Sequence, residues 1–307
     1  MAALPGEEPA RQFIDRLSKE FVDDLGPEAY AILAKAQGRV WQQKGQGWYA
    51  DADAAFGALS AIGAMRGDHR LEAEGYHFRG HNDLRRSTVL APDTVPEWRA
   101  VRDRVGVDLG RAWFGVAREC RPPDDYVALG YDWRGEAIAW HILGMDDSDE
   151  AREAVANAQA LLGGGPGLAS LLVDEGRRDR SAGDDDAAAR ALQEALGLGW
   201  EYQSFFLVAD ACSKLAEVAD AWDHSSPDAL TYAAAAAVAW PQKAYPADYV
   251  RVERLFARLN ASPERMKDGV TELVTGNNLP FTILRSMPGF NQGDAVIRLE
   301  ELARGLQ

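Results

Sequence analysis

Apolar side chains recur along most of this chain every three to four residues, with polar side chains between them. In EPARQFIDRLSKEFVDDL, for example, Phe13, Leu17 and Phe21 form an apolar stripe opposite charged residues. This periodicity is typical of an amphipathic helix. No segment has a convincing strand pattern, so the sequence predicts an all-α chain.

Several predicted helices begin with residues that are common at helix N-termini. Three aspartates, residues 184–186, precede an alanine- and leucine-rich run, and their charge suits the first turn of a helix. Ser226 and Ser262 each precede a proline, which is the order of an N-cap and a first helical residue. Glycine- and proline-rich stretches such as GGGPG separate the segments. The pattern predicts about fifteen helices, with short connections that make consecutive helices antiparallel neighbours.

Two segments carry residues that recur in one family of helical repeats. The residues concerned are Gly47, Tyr49, Ala52 and Phe56 in the first segment, and Leu129, Gly130 and Trp133 in the second, where DEAREAV begins the partner helix. These two hairpins resemble tetratricopeptide (TPR) repeats, in which small residues allow paired helices to pack closely. The resemblance implies a TPR-like α-solenoid of stacked antiparallel helical hairpins with a concave inner surface. An irregular helical bundle is the alternative.

The length of 307 residues suits a single helical-hairpin domain over residues 1–307. The glycine-rich LLGGGPGLAS and the charged RRDRSAGDDD would place any weak subdivision near residues 163–185. A chain of this length buries enough surface to be stable without a disulfide or a structural metal. Cys120 and Cys212 lie far apart and fit no metal-ligand spacing, so we expect free thiols in a reducing cytosol.

The N-terminal MAALPGEEPARQ lacks the basic and apolar regions of a secretory signal. The longest apolar run, residues 231–240, is about half of the ~20 residues that a membrane span needs. We therefore expect a cytoplasmic protein. A formal net charge of −15 argues against binding to nucleic acid or to an anionic membrane. A positively charged peptide or protein is the better electrostatic match.

The segment EAEGYHFRGHND places Glu74, His77 and His81 on one face of a predicted helix. The two histidines have the spacing of HExxH zinc proteases, but Phe78 stands where the catalytic glutamate would be, which excludes that chemistry. A di-iron site needs a second Glu-x-x-His unit on another helix, and EAIAWH has the wrong spacing. We expect no metal and no cofactor. Three interpretations stay open: a solvated or hydrogen-bonded stripe, a ligand pocket, and a metal site formed by Glu74, His77 and His81.

Two carboxylate-rich stretches are superficially similar to the magnesium-binding motifs of class I terpene cyclases. The stretch MDDSDE contains Asp146, Asp147, Asp149 and Glu150, and ADACSKLAE contains Ser213 and Glu217. Ala209 occupies the position where the second motif should carry a metal-binding Asn or Asp. The stretch DDSDE is also a natural capped turn at the start of a helix. An all-α enzyme, metal-dependent or terpene-cyclase-like, therefore remains the alternative function, and a purely structural assembly subunit is a third possibility.

Aromatic and histidine side chains that combine an apolar body with a polar tip are the best candidates for ligand contacts. They are Tyr76, His77, His81, Trp133, Trp140, His141, Trp200 and Tyr202. The same residues could instead pack helix against helix in the core. From this set we predict a helical-repeat binding module, without catalysis, that holds a protein segment, a peptide or a small ligand on an aromatic-lined inner surface.

Overall fold

The computed structural model describes residues 26–44, 47–87, 104–222, 227–240, 246–259, 270–271 and 273–305. These residues are helical apart from short turns and contain no strand. The prediction of an all-α fold of consecutively packed helices is confirmed. The helices predicted around Phe13 and Ser262 lie outside the described residues.

Contacts divide the chain into two compact units, residues 1–154 and 155–307. The first unit contains α1 (Pro27–Lys44), α2 (Tyr49–Arg66), α3 (His69–Ser87), α4 (Arg104–Cys120) and α5 (Tyr126–Leu143). The boundary falls within α6 (Asp149–Leu162). The second unit continues with α7 (Gly165–Ala182), α8 (Asp185–Glu201), α9 (Phe205–Trp222), α10 (Pro227–Ala239), α11 (Pro246–Arg258), α12 (Leu279–Ser286) and α13 (Gln292–Gly305). The expectation of one domain over residues 1–307 stays a prediction.

Helix ends follow the capping signals of the sequence. The side chain of Asp184 accepts a hydrogen bond from the Ala187 backbone N–H at 2.9 Å, so the aspartate-rich start of α8 is confirmed. Ser148 Oγ accepts from the Ala151 N–H at 3.1 Å, which makes DDSDE the capped turn before α6. The helices α2, α5 and α7 end at glycines with left-handed backbone angles, namely Gly67, Gly144 and Gly183.

In the first unit, every consecutive pair of helices from α1 to α5 is in contact, and α3 also contacts α1 and α5. Lys35 of α1 contacts Glu74 of α3, and Arg39 contacts Phe78, four residues further along each helix. The two helices therefore run parallel. The helices α1, α3 and α5 form one layer, called here the odd-helix layer, with α3 in its middle.

The glycines of α3 mark points of close packing. A Cβ atom at Gly75 would lie 2.6 Å from the backbone N of Ser60 on α2, and one at Gly80 would lie 2.8 Å from the ring of Phe114 on α4. Glycine in a helix interior is about 1 kcal/mol less favourable than alanine. Here the two glycines let α3 approach the backbones of both neighbouring helices.

The second unit has an alanine-rich core. The apolar run of residues 231–240 forms most of α10, and its alanines are buried against α9 and the helices that follow. Arg177 of α7 is paired with Asp210 of α9 at 2.8 Å, and Arg258 of α11 with Asp220 of α9 at 3.0 Å. No helix among the described residues is both long and apolar enough to cross a membrane.

Candidate functional site

Glu74 and His77 join α3 to both neighbours within the odd-helix layer. Glu74 Oε1 accepts a hydrogen bond from Lys35 Nζ of α1 at 2.5 Å. The ring of His77 donates from Nδ1 to Asp132 Oδ1 of α5 at 2.7 Å. Two of the three residues on the predicted polar face, Glu74 and His77, thus have structural partners on neighbouring helices. His81 is the third.

Asp132 is a fully buried carboxylate that holds the His77 ring in place. It also accepts hydrogen bonds from Nε of Arg121 and, at 3.3 Å, from Nη2 of the same guanidinium. Arg121 contacts Asp125 at 3.3 Å as well. A buried charge needs such partners, because an unpaired one is strongly destabilising. Since Nδ1 of His77 is used by Asp132, Nε2 is the atom that this ring can offer to a ligand.

The third polar position, His81, contacts rings instead of hydrogen-bonding groups. Its ring centroid lies 4.7 Å from that of His77 and 5.0 Å from that of Phe114, with the rings edge to face. No hydrogen bond joins its ring nitrogens to any residue in the described part of the chain. His81 is therefore a partly buried imidazole whose two polar atoms have no protein partner there.

The environment keeps His81 neutral. Burial lowers the pKa of His81 well below its usual value of 6.5. Nearby positive charges lower the pKa further, and they belong to His77, Arg134, Arg85 and Arg39. A neutral imidazole has one N–H donor and one nitrogen acceptor. At neutral pH His81 can therefore donate one hydrogen bond and accept another.

Two cations of α1 lie over the ring of Phe78. Its ring stacks on Phe56 at 5.1 Å between centroids. The guanidinium carbon of Arg39 lies 5.1 Å from the centroid of the Phe78 ring, and Lys35 Nζ lies 5.7 Å from it. Apolar surface and cations thus occur side by side next to the two histidines.

Of the predicted ligand residues of α5, Trp133 and Trp140 lie in the contact between α4 and α5. The guanidinium of Arg118 covers Trp133 at 3.7 Å, and that of Arg111 covers Trp140 at 4.3 Å. Trp140 is only 8% exposed, and His141, which is 7% exposed, contacts Asp146 at 2.9 Å. These three candidates contribute mainly to helix packing, and their role in ligand binding stays a prediction.

The remaining candidates have other surroundings. Tyr76 stacks on Trp113 of α4 at 5.6 Å, where Arg79 also lies over the indole. In the second unit, Trp200 is 47% exposed and donates from Nε1 to Ser286 Oγ at 2.8 Å, and Tyr202 is 40% exposed. Of the eight candidates, the structure brings His77 and His81 together in the odd-helix layer.

Carboxylates that suggested magnesium binding take part in internal ion pairs. Burial would raise the pKa of Glu217, but the charges of Lys214, Arg180 and Arg258 outweigh burial and lower it to about 2. Asp146 is paired with His141. Within the described ranges, no group of three or more histidine, cysteine, aspartate or glutamate side chains is placed to hold a metal ion.

Sequence reasoning missed Asp132, Arg121 and Phe114, which orient or contact the two histidines. One signal was present for Asp132. It is a carboxylate within the otherwise mostly apolar helix sequence LGYDWRGEAIAW, where a buried charge needs a partner from another helix. Neither the identity of that partner nor the contact of Phe114 is encoded locally.

No protein-family model matches the chain, and no curated protein matches it at a significant level. The fold class is that of all-α proteins built from consecutive helical hairpins. The TPR resemblance stays a prediction.

Proposed function

We propose that the first unit is a ligand-binding module and that it holds a peptide segment or a small ligand at His81. The site comprises His81, the neighbouring His77 and the ring of Phe78. The observation that carries the proposal is the neutral, partly buried imidazole of His81, which has no hydrogen-bond partner among the described residues.

The ring of His81 is only partly buried, and its nitrogens keep some exposure to solvent. A ligand can therefore reach them, while the rings of Phe114 and His77 hold the imidazole from its sides. A ligand that accepts from the ring N–H, or donates to the other ring nitrogen, supplies the missing partner. This gives His81 a direct role in binding.

His77 differs from His81 because Asp132 fixes its ring. The Asp132 carboxylate is itself fixed by Arg121, so the orientation of His77 Nε2 is set before any ligand arrives. Groups held in advance in this way lose little entropy on binding and therefore favour affinity. The ring of Phe78 supplies adjacent apolar surface. Ligand sites usually combine a few oriented polar atoms with aromatic surface.

Selection of peptides from a random displayed library against the full chain tests this function. The selected peptides are then measured against wild type, His81→Ala and His69→Ala by fluorescence anisotropy. His69 is a matched control because it lies on the same helix and its side chain is 66% exposed. We expect His81→Ala to weaken binding about tenfold, since a hydrogen bond is worth about 1 kcal/mol and ring contacts are lost as well. His69→Ala should have no effect.

Thermal unfolding of each variant first establishes that it is folded. Native mass spectrometry of the purified chain extends the search to small ligands that co-purify with it. Equal affinity of the selected peptides or ligands for all three proteins would place binding elsewhere. The absence of any selected peptide and of any co-purifying ligand would contradict the proposed function itself.

A further inference from the structure

We infer that the ligand of this site presents an oxyanion, a carboxylate or phosphate group, to His81. This inference rests on the proposed function and adds the chemistry of the ligand. It reverses the expectation from the net charge of −15, which favoured a positively charged partner. The charge that a ligand meets is the local one at the site, and in the odd-helix layer that charge is positive.

Cations from all three helices of the odd-helix layer act on His81. Arg39 of α1 lies over Phe78, which is three residues before His81 on α3. Arg85 follows His81 by four residues, one helical turn further along α3. Arg134 of α5 also acts on the His81 ring. Guanidinium groups form paired hydrogen bonds to carboxylate and phosphate oxygens, which makes arginine the side chain best suited to an oxyanion.

Each carboxylate described in this layer has a basic partner. The pairs are Glu28 with Arg66, Glu72 with His69, Glu74 with Lys35, Asp83 with Arg86, Asp132 with His77 and Arg121, and Glu136 with Arg118. The arginines near His81 have partners of their own, and Arg39 also stacks on Phe78. Their positive charge acts on His81 with these partners in place.

Burial is the largest cause of the lowered pKa of His81, and the direction in which the nearby charges shift that pKa agrees with a positive potential. The charged groups that shift its pKa are positive, and each shifts it downward. A potential that opposes protonation of an imidazole attracts an anion to the same position. A bound oxyanion would offset the potential, so it should raise the pKa of His81. The neutral ring can meanwhile donate its N–H to the oxyanion.

Sulfate is a suitable probe because it keeps two negative charges throughout the pH range in which histidine titrates. The full chain is titrated with sodium sulfate, and in parallel with sodium chloride at equal ionic strength, while the histidine ring resonances are followed by NMR. We expect saturable shifts at His81 and His77 with sulfate only. The pKa of His81 should rise in sulfate, with about tenfold tighter binding once the ring is protonated, as for a hydrogen bond that becomes charge-assisted.

Substitutions of individual arginines test whether sulfate binding depends on the cations near His81. Arg39→Gln and Arg134→Gln should each weaken sulfate binding about tenfold, and the use of two variants guards against misfolding of either one. Arg66→Gln is the control, because Arg66 is paired with Glu28 and lies on α2, outside the odd-helix layer. Titration with acetate distinguishes the two sources of oxyanion. Tighter sulfate than acetate binding indicates a phosphate group, and the opposite order indicates a carboxylate.

Two outcomes would overturn the inference: identical responses of His81 to sulfate and chloride, or equal weakening by Arg66→Gln and Arg39→Gln. The proposed function is judged separately. Suppose that a selected peptide requires His81 but binds equally well when its acidic residues are replaced by neutral ones. That result would contradict the oxyanion inference and leave the proposed binding function intact. Saturable sulfate binding that depends on Arg39 supports the oxyanion even where no peptide is selected.

Discussion

Replacement of Gly75 by alanine should destabilise the protein, although alanine is the better helix former. In an open helix this change stabilises by about 0.5–1 kcal/mol, because glycine loses more backbone entropy on folding. Gly75 lies in the middle of α3, where a new Cβ would meet Ser60 Oγ. It would also lie 2.6 Å from Ser60 N and 2.7 Å from Phe56 O.

The atoms that the new Cβ would meet determine the free-energy cost of Gly75→Ala. Rotation of the Ser60 side chain can relieve the contact with Oγ, but the N and O atoms belong to the backbone of α2. The two helices must therefore move apart, which puts the cost at the upper end of the range for overpacking, about 3 kcal/mol. After subtraction of about 1 kcal/mol for helix propensity, we expect a net loss of about 2 kcal/mol.

Gly57→Ala is the matched control on α2. A Cβ there would have no atom within 4 Å, so the same substitution should stabilise by about 0.5–1 kcal/mol. Urea unfolding of wild type and both variants, followed by circular dichroism, gives the free energies of unfolding by linear extrapolation. If Gly75→Ala stabilises as much as Gly57→Ala, the backbone approach of α2 and α3 is refuted.

Two further predictions concern buried charges. Asp132→Ala leaves the buried Arg121 with only Asp125 among its described partners, and should lower the free energy of unfolding by about 3 kcal/mol. Asp124→Ala, which removes an exposed ion pair, should cost less than about 1 kcal/mol, and equal losses in urea unfolding would contradict the role of burial. Because the pKa of Glu217 is lowered from 4.5 to about 2, its contribution to stability is present above pH 4.5 and is lost as pH falls toward 2. Glu217→Gln should therefore flatten the dependence of melting temperature on pH in this range, and an unchanged slope would refute the ion-pair account.

Helix content was predictable because it depends on local periodicity and capping. Asp184 and Ser148 cap the helices that the sequence predicts. The layer formed by alternate helices was harder to predict, since the spacing of its contacts along the chain is not constant. Lys35 and Glu74 are 39 residues apart, whereas His77 and Asp132, which join the next two helices of the odd-helix layer, are 55 apart. A search for one fixed period cannot find such a pattern.

The candidate site was predictable only in part. The spacing of His77 and His81 indicated a shared helix face, but their partners come from other helices and depend on tertiary structure. The sequence also could not separate ligand contacts from packing for Trp140 and His141. Both sit on a helix that is apolar over much of its circumference, so periodicity does not reveal which face a neighbour covers.

The two arginine–tryptophan contacts between α4 and α5 limit how the first unit can move. Arg111 and Arg118 are seven residues apart, and so are Trp140 and Trp133, which they cover in reverse order. If α4 slid along α5 by one turn, about 5.4 Å, both guanidinium groups would leave their indoles at once. A slide of two turns would restore only one contact. The two contacts thus oppose shear between α4 and α5 by about 1–4 kcal/mol together, and they favour movement of the two helices as one body.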